Sequence, residues 1–207
     1  MSPETEQDGE AHHGDLEAAP FRAWDGAVIY TIGHSTRPRD ELISLLNQHG
    51  VTTLADVRTI PRSRHNPQFN REALAMALPS AGIAYAHLAA LGGLRHTVGV
   101  ASRNQGWRNE SFRGYADYMQ TPAFVNGLEE LRKLTASGPV AVMCAEAVPW
   151  RCHRSLIADA LLVRGVVANE IQSLTRTSPH QLTPFAHLDG LAITYPCSES
   201  PDEANTS

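Results

Sequence analysis

The sequence has almost no lysine: of its 17 basic residues 16 are arginine, and Lys133 stands alone. Arginine offers a rigid bidentate fork to phosphate or carboxylate, although a GC-rich genome produces the same bias. Long apolar runs are also missing. None approaches the roughly 18 residues of a membrane span, so no membrane partner is expected. The opening MSPETEQDGEAHHGDLEAAP has neither the basic nor the apolar region of a secretory leader, which makes the cytoplasm the expected location. Cysteine is scarce too. Cys144, Cys152 and Cys197 cannot all pair with one another, and cytosolic thiols stay reduced, so a disulfide framework is not expected. Helix-turn-helix and zinc-finger spacings are absent, which leaves a sequence-reading DNA module unsupported.

What is present is enough for one buried core. A chain of 207 residues with 42% hydrophobic content fits one α/β domain and is too short for two of full size. The formal charge of −5 is unevenly spread. Residues 1–20 carry six acids and residues 191–207 three, with no Lys or Arg in either stretch. The remaining 17 bases and 13 acids leave the body at +4, which fits an anionic ligand. The expected organisation is therefore a disordered acidic tail over 1–20, an α/β domain over 21–190 and a disordered tail over 191–207.

Between the tails, strand and helix patterns alternate. AVIYTIG (27–33), VTTLADVR (51–58), IAYAHL (83–88), PVAVMCA (139–145) and VVANEIQ (166–172) read as strands, being short, apolar and rich in β-branched residues. RDELISLLNQHG (39–50) carries leucines at helical spacing, and NREALAMALPSAG (70–82) starts on a capping asparagine and stops at Gly82. FRGYADYMQTPAFVNGLEELRKLTASG (112–138) is helical in two pieces broken at Pro122, and HRSLIADALLVRG (153–165) is a helix closed by Gly165. The pattern predicts a single doubly wound α/β domain, with a mostly parallel sheet of about five strands and helices on both faces. The polar segment 91–114 is too long for an ordinary connection and reads as a cover or lid; its Arg95, Arg103, Arg108 and Arg113 alternate with Trp107 and Phe112, a mixture that could stack on a base and hold a phosphate.

Ligands of such sheets sit beyond the carboxyl ends of the strands. His34 and Ser35 follow the first strand, Asp56 and Arg58 end the second, and Cys144 and Glu146 end the fourth, so all are expected on one rim. A thiol near the start of a helix lies in a field that favours thiolate and binds oxyanions, and Arg151 and Arg154 would strengthen both effects. This strand–Cys-loop–Arg-helix unit resembles those of rhodanese-like sulfurtransferases and cysteine phosphatases, and LADVR is similar to the Asp-Val-Arg strand of rhodaneses. The spacing departs from theirs: Arg151 follows Cys144 after six residues and Arg154 after nine, against about five.

A fuller resemblance runs over roughly residues 28–175. YTIGHST, LADVRTIPRSRHNPQFN, GIAYAHLAALGG, YADYMQTPAF and MCAEAVPWRCHRSLIADAL together resemble the bacterial family catalogued as domain of unknown function 488. That resemblance implies a compact cytosolic α/β domain and names no reaction.

The leading reading is an enzyme acting on an anionic, phosphorylated or nucleotide-like substrate. Cys144 serves as nucleophile or redox thiol, Glu146 as acid/base, and Cys152 and His34 complete the catalytic set. Ser35, Asp56, Arg58, Arg62, Arg64, Asn70, Gly92, Gly93, His153 and Arg154 are the candidate substrate contacts. Each has a plainer alternative: a turn-bonded His34, an Asp56–Arg58 ion pair, a solvated loop for Arg62, Arg64 and Asn70, and an inert buried Cys144. Two other readings stay open. One is a non-catalytic domain that binds a nucleotide or nucleic acid. The other is a metal domain built on Cys144, Glu146, Cys152, His153 and His34, although two cysteines seven residues apart do not match a zinc knuckle. A Cys144–Cys152 disulfide would act as a redox switch rather than a staple. The sequence fixes no cofactor and no oligomeric state.

Overall fold

A computed structural model of the chain describes residue 24 and residues 26–197; the expected N-terminal tail and residues 198–207 lie outside that range. Strand β1 (Ile29–Gly33) leads into helix α1 (Arg39–Gln48), whose Leu42, Leu45 and Leu46 are all buried. Strand β2 (Thr53–Asp56), helix α2 (Arg71–Ala77) and strand β3 (Ala84–His87) repeat the unit, and Gly82 closes it in the left-handed region. Asn70 stands at the start of α2 without capping it. Its Oδ1 instead accepts from the Ser63 N–H at 2.7 Å and so ties down the loop before the helix. Helices α3 (Glu110–Tyr118) and α4 (Pro122–Leu134) start on Asn109 and Thr121, whose side chains accept first-turn N–H groups. Then come β4 (Val140–Cys144), α5 (Arg154–Leu162) and β5 (Ala168–Ile171).

These strands form one sheet in the order β3-β2-β4-β1-β5, all parallel. A sixth strand, β6 (Thr177–Pro179), adds antiparallel to β5, where a proline is tolerated because the edge needs no further donors. Two apolar layers sandwich the sheet. Leu42, Leu46, Leu74 and Leu78 pack with Ile32, Leu54 and Met143 on one face. On the other, Phe124, Leu128, Leu156 and Ile157 pack with Ile29, Ala55 and Val142. The domain is therefore a doubly wound α/β sheet, with one strand more than the sequence pattern gave. From β1 the chain leaves through α1 on the first face; from its neighbour β4 it leaves through α5 on the second. That divergence makes the β1/β4 ends the switch point at which such folds open a crevice.

The expected boundary at residue 190 falls inside a small hairpin, β7 (His187–Asp189) and β8 (Ala192–Thr194), turned by Gly190 at φ 56° and Leu191. Ile193 and Tyr195 are buried, and the Tyr195 hydroxyl donates to Asp159 at 2.8 Å. Residues 191–197 thus belong to the folded body. The physical reason is Asp159, a buried carboxylate in α5 that also accepts from His180, the Thr183 hydroxyl and the Thr183 N–H, and so gathers the C-terminal strands.

The segment 91–114 is a tethered connection rather than a free cover. Asp117 of α3 accepts from the Thr97 and Ser102 hydroxyls, the Val98 N–H and the Asn104 amide. Burial works against that carboxylate, yet the four hydrogen bonds hold it below its usual range. Asn104 is itself buried and accepts the N–H of Tyr195 at 2.9 Å. Trp107 packs on Phe112, Phe185 and Tyr195, so the aromatic ring expected to stack on a base is occupied within the fold.

Candidate functional site

The expected residues share one rim but not one face. Gly33 and Cys144 are register partners, and strand alternation turns successive side chains to opposite sides. Cys144 joins the α4/α5 layer, whereas His34, one residue past Gly33, stacks on Phe69 in the α1/α2 layer. Cys144 and His34 thus stand in different layers of the fold. The same separation removes His34 from the expected metal set. Among the described residues no three His, Cys, Asp or Glu side chains are placed to hold a metal ion.

On the α1/α2 side, Arg58 makes a two-pronged pair with Asp56, Nε to Oδ1 at 2.9 Å and Nη2 to Oδ2 at 2.6 Å. Tyr85 donates to the same carboxylate at 2.8 Å, and Arg58 Nη2 also reaches the Phe69 carbonyl at 2.7 Å. His34 Nδ1 donates to the Ser35 carbonyl, which leaves Nε2 to accept from Arg58 Nη1 at 3.2 Å. Burial, with the Arg58 charge acting the same way, holds His34 below its ordinary value and keeps it neutral. This cluster is a closed structural network, its donors and acceptors spent on one another. Above it, Ser35 adopts φ 47°, and a cavity of about 460 Å³ is lined by His34, Ser35, Arg58, Arg62, Glu146 and Arg151. Arg62, Arg64 and Asn70 border a separate hollow on the neighbouring loop.

On the α5 side the loop after β4 crosses so near β1 that a Cβ on Gly33 would lie 1.8 Å from the Glu146 carbonyl oxygen. That carbonyl, rather than the Glu146 carboxylate, is what reaches the site: it accepts from Arg154 Nη2 at 3.2 Å and from the Cys144 thiol at 3.7 Å. The Glu146 side chain is exposed. Cys144 and Cys152 are both buried, with Sγ atoms 2.7 Å apart. Cys152, not Cys144, sits at the start of α5, where its sulfur accepts the Arg154 N–H at 3.5 Å and faces His153 Nδ1 at 3.5 Å. The hydrogen bond from Cys144 is the main cause that pulls Cys152 below an ordinary thiol, helped by His153 and Arg154 against burial; the same bond and burial push Cys144 up. The Arg154 N–H at its sulfur favours negative charge on Cys152 over Cys144.

His153 is locked by Nε2 donating to the Val57 carbonyl at 3.1 Å. Gly92 and Gly93, expected to touch substrate, serve close packing: a Cβ on Gly93 would lie 2.3 Å from the His153 ring, and one on Gly92 2.6 Å from the Thr59 hydroxyl.

Arg154 has no exposed surface. Its Nη2 reaches Glu170 Oε1 at 3.4 Å besides the Glu146 carbonyl, while Nε and Nη1 are buried without a partner. Thr31 donates to the other Glu170 oxygen. Burial raises Glu170 above the usual carboxylate range, against the pull of Arg154. A cleft of about 600 Å³ opens over this group, lined by Arg37, Trp150, Arg154, Ser155, Glu170 and His180 among others.

The family model described as Domain of unknown function DUF488 matches residues 38–161, more than half of the chain. The chain belongs to the DUF488 family. No curated protein and no solved structure matches it. In this DUF488 domain the match runs from the start of α1 to within α5, and so takes in Asp56, Arg58, both buried cysteines and Arg154. Glu170, Trp150 and Thr31 were not among the residues singled out from sequence. The available signal for Glu170 was a carboxylate inside the expected strand VVANEIQ. Among the described residues no helix is long and apolar enough to cross a membrane.

Proposed function

We propose that this domain binds a small phosphate- or carboxylate-bearing ligand in the cleft over Arg154. The observation that carries the reading is the pair of unpartnered buried nitrogens, Nε and Nη1, on a guanidinium that lines that cleft. A buried donor left unmade costs about 1–3 kcal/mol, and more when charged, so an oxyanion that displaces what covers the guanidinium and accepts from it recovers that loss. Arg37 adds positive charge on the wall. Trp150, largely exposed at the lip, offers a flat apolar face beside the charged floor, which favours ligands that join an anion to a planar ring. Neither cysteine lines the cleft. Binding is thus the activity this geometry supports best, and thiol attack on a ligand held there is not required by it.

Isothermal titration of the full chain with sulfate, with a dicarboxylate and with a nucleoside monophosphate tests the reading. Arg154→Lys keeps the charge but loses the fork, and should weaken binding by about 10- to 100-fold, as expected for one or two charge-assisted hydrogen bonds. Trp150→Ala should weaken the nucleotide alone. Equal affinity in wild type and Arg154→Lys, with both folded by circular dichroism, would remove Arg154 as the anchor and the proposal with it.

A further inference from the structure

The buried thiol pair lies beneath the rim, apart from the cleft, and has the parts of a reaction of its own. We infer that Cys144 and Cys152 form a two-electron redox centre, closed to a reversible disulfide by a hydroperoxide no bulkier than hydrogen peroxide. The inference does not rest on the anion reading. It stands on placement: Cys144 is fixed at the end of a central strand, Cys152 at the start of α5, and the loop 145–151 brings their sulfurs into contact at 2.7 Å. The sulfurs need approach each other by only about 0.7 Å more to reach the length of an S–S bond. The surroundings also sort the two roles. Cys152 has the Arg154 N–H donating to its sulfur, whereas Cys144 has the Glu146 carbonyl, an acceptor that suits a protonated thiol. Cys152 therefore attacks and Cys144 resolves.

The steps balance. The Cys152 thiolate attacks one peroxide oxygen; the O–O bond breaks, an S–O bond forms, and the departing hydroxide takes up the proton that Cys152 had released to solvent. Sulfur has lost two electrons and the peroxide has gained them. The Cys144 thiol then attacks the sulfenic sulfur of Cys152. An S–S bond forms, the S–O bond breaks, and hydroxide leaves as water with the Cys144 proton. One dithiol and one hydrogen peroxide give one disulfide and two waters. The size limit follows from burial, since each cysteine keeps at most 4% of its surface exposed. A dithiol reductant reverses the reaction by exchange once the loop 145–151 opens.

The test uses the full chain. Reduced protein is treated with one or two equivalents of hydrogen peroxide, quenched in acid, denatured and alkylated. Wild type should then show one free thiol, Cys197, instead of three, with Cys144 and Cys152 joined in a single peptide pair and three thiols restored by dithiothreitol. Cys144→Ser should halt at a sulfenic acid that dimedone traps on Cys152, and Cys197→Ser should close the bridge as wild type does. The wild-type mapping needs no substitution, so a poorly folding variant does not blunt the test. Three free thiols after oxidant, a bridge that uses Cys197, or dimedone on Cys144 in Cys152→Ser at the wild-type rate would each overturn the inference. So would oxidised glutathione reacting as fast as peroxide, because it cannot reach a closed pair.

Discussion

Arg154 and Glu170 face each other from α5 and β5 at 3.4 Å, and their balance sets how much positive charge a ligand in the cleft meets. Glu170 titrates above the usual carboxylate range because burial outweighs the attraction of Arg154 and the Thr31 hydrogen bond. Above that raised value it is charged and competes with a ligand for the guanidinium. As pH falls through it, Glu170 takes up a proton and Arg154 loses its counter-charge.

Sulfate affinity should therefore rise as pH is lowered through the acid range, with sulfate chosen because its own charge stays constant there. Arg37 and Cys152 also face Glu170 and His180 stands on the cleft wall, so the comparison that isolates the carboxyl is Glu170→Gln. That variant should bind sulfate more tightly near neutral pH, by about tenfold for the equivalent of one pKa unit, and should lose most of the pH slope. An unchanged slope in titration calorimetry would show that Glu170 does not set it.

The Asp56–Arg58 pair should behave as a buried structural pair. Both side chains are buried, and each leaves the other uncompensated when removed. Arg58→Met should cost about 3–5 kcal/mol in urea unfolding, because Asp56 keeps only Tyr85 and one N–H as partners. The double variant Asp56→Asn with Arg58→Met should cost clearly less than the sum of the single changes. Additive losses would show that the two residues act independently.

Asp117 should control the order of residues 97–104. Asp117→Ala removes the acceptor for four donors, two of them hydroxyls, and should speed amide exchange over that stretch by about tenfold or more, for the loss of one to two net hydrogen bonds. Exchange in the core strand β4 should stay unchanged, which separates local release from global loss of stability. Identical exchange in wild type and variant would assign the order of this segment to its packing on Trp107 and Tyr195.

The sequence by itself determined the order of strands and helices, because apolar spacing and glycine stops are local properties of the chain. Leu42, Leu45 and Leu46 could bury only as one helical stripe, and PVAVMCA only as a strand covered on both faces. It also placed His34, Asp56, Cys144 and Arg154 near one rim, since each stands at a strand end or helix start. Tertiary structure decided which of them meet. His34 and Cys144 part because β1 and β4 pair with Gly33 opposite Cys144, and neither strand's own sequence contains that register. Cys152 rather than Cys144 has its sulfur at the start of α5 because the loop 145–151 folds back far enough to set it there. Glu170 joined Arg154 only when β5 lay down beside β1, and Tyr195 entered the core only because Asp159, buried in α5, needed donors from somewhere along the chain. Each of these depends on a contact between residues far apart in sequence, where local pattern carries no information and the need to satisfy buried charge decides.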